Sequence, residues 1–292
     1  MDRVGIIGLG KMGLPIARNL IERGFTVTGY CRSGSPELAR AGGTVAGSAA
    51  EVAAETDVLL SILPGAQDVE EVIGGPAGAL RTLRSGTIHI EMSTIDVDCK
   101  ARLRDAVAAR GGDLLDCPII GSPGLVAPRL ATTFASGDPV SVSAVSAVLD
   151  AISGPWVYTG AFGTGARMKY IANLLLAVHT AAEAMALARS SGLDLELVQK
   201  TLDNSIASSA IWKQRGPMMA ERAWSPAPGP IRTLQPILEQ IQAHAAQTGL
   251  SAPVFAAAKE AFDKALADGW GDLDIACVHD QVSGVSALEE SP

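Results

Sequence analysis

Short apolar runs alternate with stretches of helical spacing along the first half of the chain, and the alternation stops near residue 160. Runs at 3–7, 26–30, 58–62, 87–91 and 113–117 predict strands, each four or five residues of mostly apolar character bounded by turn-forming residues. Between them, residues 14–23, 37–41 and 100–110 carry the spacing of amphipathic helices. Such alternation predicts an α/β fold with a doubly wound, mostly parallel sheet covered on both faces. Beyond Gly160-Ala161-Phe162-Gly163-Thr164-Gly165, helical patterns take over at 166–190, 195–202, 231–248 and 253–268. Two domains are therefore expected, 1–162 built on the sheet and 163–292 all-helical. The stretch 223–230, Ala-Trp-Ser-Pro-Ala-Pro-Gly-Pro, reads as a stiff connector between helices. Leu174, Leu175, Leu176, Ala177, Ala181, Ala182, Met185 and Leu187 make the first long helix apolar around most of its circumference. It is expected at the centre of the helical domain or in a subunit interface, and a homodimer or homotetramer through that domain is the expected assembly.

The first predicted strand runs directly into Gly8-Leu9-Gly10-Lys11-Met12-Gly13, and a helix follows. A G-x-G-x-x-G run is weak alone but, between strand and helix, forms the fingerprint of a Rossmann-type dinucleotide cradle. Gly8 would permit the tight turn, Gly10 the approach of backbone to a pyrophosphate, and Gly13 close packing of helix on strand, with the helix N-terminus facing the anion. A glycine-rich turn without a ligand is the alternative. An NAD site usually carries a carboxylate about 20 residues on, for the ribose 2′-hydroxyl. Here that place reads Tyr30-Cys31-Arg32-Ser33-Gly34-Ser35, without one. Arg32 could pair with a 2′-phosphate, and Ser33 and Ser35 could add donors, so NADP(H) is preferred and NAD(H) remains open. A solvated surface arginine would look the same.

Composition narrows the function classes. The 292 residues are 48% hydrophobic and 18% charged, with a net charge of −8, and no long basic run appears. Nucleic acid and anionic membrane are thus unexpected as partners. The first strand begins within a few residues of Met1, leaving no room for a signal peptide, and Asn173, His179 and Glu183 interrupt the most apolar helix. Cys31, Cys99, Cys117 and Cys277 show no metal-ligand spacing, nor do the four histidines, so no metal is expected and a cytoplasmic location is the default.

Three places could carry chemistry. Leu63-Pro64 follows the third predicted strand and Ser93-Thr94 the fourth, both at the carboxyl edge where ligands of such sheets bind. Turn-forming hydroxyls are the competing reading there. Lys169 and Asn173 stand four residues apart on one face of the apolar helix. Partial burial lowers a lysine pKa and suits it to proton exchange near neutrality. A lysine snorkelling to water beside a surface asparagine is the alternative.

Taken together, Gly8-Leu9-Gly10-Lys11-Met12-Gly13 with Ala17-Arg18-Asn19-Leu20, Glu91-Met92-Ser93-Thr94-Ile95, Asp116-Cys117-Pro118, Gly163-Thr164-Gly165 leading to Lys169 and Asn173, and Gly269-Trp270-Gly271-Asp272 resemble the β-hydroxyacid dehydrogenases. The resemblance spans nearly the whole chain. It implies hydride transfer between NAD(P) and a small hydroxy acid or semialdehyde, with Lys169 as general acid/base and Asn173 beside it. It also implies that Cys31-Arg32-Ser33 takes the place of an Asn-Arg-Thr-like triplet of NADP-using members. Ser93, Ile120, Gly121, Ser122 and Gln235 fall in the implied substrate region. Two departures stand out. Where the family pattern is Asp-Ala-Pro-Val-Ser-Gly-Gly, this chain has Asp116-Cys117-Pro118-Ile119-Ile120-Gly121-Ser122, so Ile120 replaces a serine. Where Lys-Asp is common it has Leu234-Gln235-Pro236-Ile237, without the positive charge. Arg129 stands where a glycine is common. A larger or less anionic substrate would fit these changes, which keeps an imine or bulky-ketone reductase open, and behind it a cofactor-binding scaffold without turnover.

Overall fold

The computed structural model describes residues 2–174 and 178–288, so Leu175, Leu176 and Ala177 of the expected helix at 166–190 lie outside the described residues. Nine strands form one sheet: β1 (Arg3–Ile7), β2 (Thr26–Tyr30), β3 (Thr44–Val45), β4 (Val58–Ser61), β5 (Ile88–Glu91), β6 (Asp113–Asp116), β7 (Ile119–Ile120), β8 (Thr132–Ser136) and β9 (Trp156–Gly160). Their order is β3-β2-β1-β4-β5-β6-β8-β7, with β9 beside β8. The first six are parallel, in the 3-2-1-4-5-6 order of a dinucleotide-binding sheet. β8 runs antiparallel to β6 and β7. All five expected strands are present, with ends displaced by at most one residue. The unpredicted strands are two residues long (β3, β7) or carry polar and aromatic residues in place of an apolar run, as in Thr132–Ser136 and Trp156–Gly160.

Both faces of the sheet are covered, as the near-continuous burial of β1, β4, β5 and β6 requires. Helix Gly13–Glu22 buries Ile16, Ala17 and Leu20, and Asn19 Nδ2 donates to Val126 O at 2.9 Å. Helix Val97–Ala108 begins three residues before the expected 100 because the Asp96 carboxylate accepts from Cys99 N and caps it. Helices Ala49–Glu55 and Ala66–Gly74 were not expected, being short and rich in alanine and acidic residues.

The chain divides into two compact units, Met1–Ile171 and Ala172–Pro292. The division falls within helix Thr164–Leu174, whose first two turns bury Gly165, Ala166, Lys169 and Tyr170. The second unit is helical. Val178–Ser190, Leu195–Asp203, Ala210–Glu221, Ile231–Thr248 and Pro253–Ala267 pack around Met185, Trp212, Met219, Leu238, Phe262 and Trp270. Helix Ala210–Glu221 escaped the pattern because Gly216-Pro217 sits inside it and imitates a break. The proline-rich connector is fixed by Trp224, buried in this core, whose Nε1 donates to Asp280 Oδ2 at 3.1 Å.

Candidate active site

Three glycines after β1 differ in what surrounds them. Gly8 has φ 99°, and a Cβ there would lie 2.2 Å from Ile62 O, so the left-handed turn and the neighbouring strand both demand glycine. A Cβ on Gly13 would meet Gly8 O at 1.8 Å, which is how tightly the helix start is folded under the turn. A Cβ on Gly10 would meet nothing within 4 Å. Protein packing therefore gives no reason for glycine at that position, and the space over it is open to a ligand. No side chain caps the helix N-terminus at Met12; Leu14 N donates to Gly10 O at 3.0 Å and Pro15 has no N–H, so the Gly13 amide is the first-turn donor that can face an anion. Leu9 is buried beneath the turn while Lys11 is exposed.

At the end of β2, Cys31 Sγ lies 3.0 Å from Gly34 O and 3.7 Å from Ser33 Oγ, which closes the loop on itself. Arg32 is exposed, and its Nη2 pairs with Asp68 Oδ1 at 2.9 Å. Asp68, near the start of helix Ala66–Gly74, could not be placed there from the sequence, because 36 residues separate it from Arg32. These residues suit a nicotinamide dinucleotide: an open glycine turn and uncapped helix for the pyrophosphate, and Arg32 with Ser33 at the ribose end.

Parallel strands deliver their carboxyl ends to one edge, and the expected positions meet there. Leu63 N donates to Ser93 Oγ at 2.9 Å, joining the segments after β4 and β5 with Pro64 and Thr94 alongside. Beneath them lies a buried polar network that sequence reading missed. Ser93 N donates to Glu91 Oε1 at 2.5 Å, Ser61 Oγ donates to Glu91 Oε2, and His89 Nε2 is 2.6 Å from Ser61 Oγ. Burial pushes the Glu91 carboxyl up and lowers His89 to about 3, so the histidine is neutral. The available signal was two polar residues, His89 and Glu91, in a central strand of a sheet covered on both faces.

Lys169 lies at the same edge. It is 9% exposed; Nζ donates to Thr94 Oγ1 at 2.7 Å and to the Ile119 carbonyl at 2.9 Å. It therefore does not snorkel to water. Its pKa is lowered from 10.5 to about 7, by burial first and by the nearby Lys100 ammonium second, with the Asp116 carboxylate acting in the opposite sense. A lysine so placed exchanges its proton near neutrality and has two fixed acceptors to aim it. Asn173 follows one turn later on the same helix, its Nδ2 buried without a partner among the described residues.

Comparison with known proteins divides the chain between residues 160 and 163, ahead of the boundary between the two compact units. One family model, described as the NAD binding domain of 6-phosphogluconate dehydrogenase, matches residues 3–160. A second, described as the NAD-binding of NADP-dependent 3-hydroxyisobutyrate dehydrogenase, matches residues 163–280. Glyoxylate/succinic semialdehyde reductase 1 of Arabidopsis thaliana is 31% identical over 283 residues, which is 96% of this chain and 98% of that protein. The chain belongs to the β-hydroxyacid dehydrogenase family. It is accordingly an NAD(P)-dependent oxidoreductase. L-threonate dehydrogenase of Cupriavidus necator is also 31% identical, over 285 residues and 94% of each chain. Among solved structures, 3-hydroxyisobutyrate dehydrogenase of Salmonella typhimurium superimposes with a TM-score of 0.88 at 26% identity, covering 96% of this chain and 99% of that one.

Against the β-hydroxyacid dehydrogenase pattern, the two departures acquire surroundings. Ile120 ends β7, half-buried, next to the carbonyl that holds Lys169. Gly121 follows with φ 138°, and half-buried Ser122 precedes the short helix Pro123–Val126. Arg129 adopts φ 59°, the left-handed region in which a glycine is the easier choice. In the second unit, Gln235 Nε2 donates to Asp263 Oδ1 at 2.5 Å. Asp263 is also paired with Lys259 Nζ at 2.7 Å. Gln235 thus lacks a charge but is one carboxylate away from a lysine of another helix. That lysine lines a cavity of about 360 Å³ together with Leu234, Leu238, Phe255 and Phe262.

Proposed function

We propose that this β-hydroxyacid dehydrogenase is an NADP(H)-dependent enzyme that interconverts a β-hydroxy acid and its semialdehyde, with Lys169 as general acid/base. The observation that carries the reading is the buried Lys169 ammonium, held by Thr94 and the Ile119 carbonyl at the carboxyl edge of the sheet, with a pKa brought to about 7. A bound nicotinamide supplies or accepts the hydride. Lys169 donates a proton to the carbonyl oxygen in reduction, and in its neutral form takes it from the hydroxyl in oxidation. Asn173 orients the same oxygen; Ser93, Gly121 and Ser122 offer donors to the substrate carboxylate. Ile120, half-buried where the family pattern has a serine, removes a hydroxyl donor and adds apolar bulk, so the preferred substrate is less anionic than the smallest semialdehydes.

The test is nicotinamide oxidation with NADPH and with NADH against small semialdehydes, one bulky ketone and one cyclic imine. Turnover of a semialdehyde is expected; turnover confined to the ketone or imine would move the enzyme to another substrate class, and none at all would leave a binding scaffold.

Preference for NADP(H) rests on Arg32 and on the description of the family model matching the second half of the chain. Arg32→Ala is expected to weaken NADPH binding roughly tenfold, the loss of one charge-assisted hydrogen bond, with NADH changed less than about twofold. Asp68→Asn should act in the opposite direction, because it frees Arg32 and removes an anion near the phosphate. Equal effects on both cofactors, read by fluorescence titration, would rule out the assignment of Arg32 to the 2′-phosphate.

A further inference from the structure

Lys100 is fully buried, with its Nζ 2.6 Å from Asp116 Oδ1, and Asp116 is fully buried as well. Two charges taken wholly out of water gain little stability over an apolar pair of the same volume, so such a pair calls for another reason to be present. The rest of the Asp116 carboxylate supplies one. Its Oδ2 accepts from Ala166 N at 2.8 Å and from Ser136 Oγ at 3.2 Å, and Gly165 N donates to Ser136 Oγ at 3.1 Å. Both amides belong to the first turn of helix Thr164–Leu174, one turn before Lys169. A Cβ on Gly165 would sit 2.7 Å from Asp116 O, so the helix start lies directly on the end of β6.

We propose that Lys100 and Asp116 are positioning residues for Lys169: the pair clamps the first turn of its helix to the sheet and fixes a second positive charge within the same buried cluster. This rests on the reading of Lys169 as the acid/base. The cation has a definite sign of action. Lys100 favours the neutral form of Lys169, and Asp116 opposes it more weakly. Among the described residues the charged groups acting on Lys169 are Lys100 of helix Val97–Ala108 and Asp116 of β6. His89 and Glu91 of β5 feel Lys100 in turn, and His89 stays neutral throughout the working range.

The test does not need a substrate. Acylation of Lys169 by acetic anhydride, followed against pH by mass spectrometry of its peptide, reports the fraction of neutral amine. In the parent protein the midpoint is expected near 7. In Lys100→Met it should rise by about one unit, so that labelling at pH 7 falls roughly fivefold. Lys100→Met with Asp116→Asn keeps an acceptor for Ala166 N and leaves no buried charge unpaired, so it is expected to fold even where the single variant does not. Its midpoint should also rise, by less. The acid limb of the pH–rate profile for oxidation should follow the labelling midpoint in each protein. A midpoint unmoved in a folded variant, judged by circular dichroism, would reduce the pair to fold support and overturn the proposal. Absence of turnover with every carbonyl would instead overturn the proposed function, while the labelling midpoints would still be read.

Discussion

Lys169→Met should silence turnover and make the protein harder to unfold. The loss in kcat is expected to be about 10³-fold, within the range for removing a general acid, while NADPH binding changes less than about threefold. The gain in stability comes from the same burial. Moving the lysine from 10.5 to about 7 means that the folded protein disfavours the ammonium by up to about 5 kcal/mol, at 1.36 kcal/mol per pH unit. Methionine avoids that but leaves Thr94 and the Ile119 carbonyl without their donor, which offsets roughly half. A net gain of about 2 kcal/mol, or several degrees in Tm, should remain. Its pH dependence has a fixed direction. Below pH 7 both folded and unfolded chains carry the proton and the penalty is complete. Between 7 and 10.5 the unfolded chain binds the extra proton, so stability of the parent protein rises with pH and the advantage of the variant fades. Thermal melts at pH 6.5 and pH 10 decide it: an equal difference at both would mean that the lysine is not charged at a cost in the fold.

A second pair of substitutions should separate binding from folding within five residues of chain. Gly10→Ala meets no protein atom, so Tm should move by less than about 1 °C while affinity for the dinucleotide falls at least about tenfold, because the methyl occupies the space left for the pyrophosphate. Gly13→Ala drives a methyl into the Gly8 carbonyl and should destabilise the first unit by about 3 kcal/mol or more, with binding lost as a consequence. Isothermal titration together with differential scanning calorimetry distinguishes the two. If Gly10→Ala bound the dinucleotide as tightly as the parent, the turn would not be the cradle.

The parts of the fold that could be read from the sequence were those where burial enforces a simple pattern. Strands β1, β2, β4, β5 and β6 lie in the middle of the sheet and each carries an apolar run broken by few polar residues, so their ends were fixed to within a residue. Strands β7, β8 and β9 sit at the end where the sheet turns antiparallel, and Thr132, Thr133 and Trp156 do not follow an apolar run. Helix Ile231–Thr248 was legible despite Pro236, because its apolar spacing continues past the proline. In the candidate site, motif or context singled out Gly8, Gly10, Gly13 and Lys169 from the sequence. Asp68 beside Arg32, Asp263 beside Gln235, and Lys100 against Asp116 were not singled out. Each is an ordinary charged residue on a helix, and only the folding of separate segments onto one another gives it that partner.

The bond from Lys169 to the Ile119 carbonyl is a bond to the main chain. Every amino acid offers the same oxygen, so the aim of the lysine does not depend on which side chains stand at 119 and 120, whereas Gly121, at φ 138°, is held to glycine by its backbone. On the proposed role of Lys169, substitutions at 119 and 120 would redraw which molecules are accepted without touching the group that moves the proton. Ile120 in place of a serine is then a change that alters the substrate's surroundings and leaves the lysine's main-chain acceptor as it was.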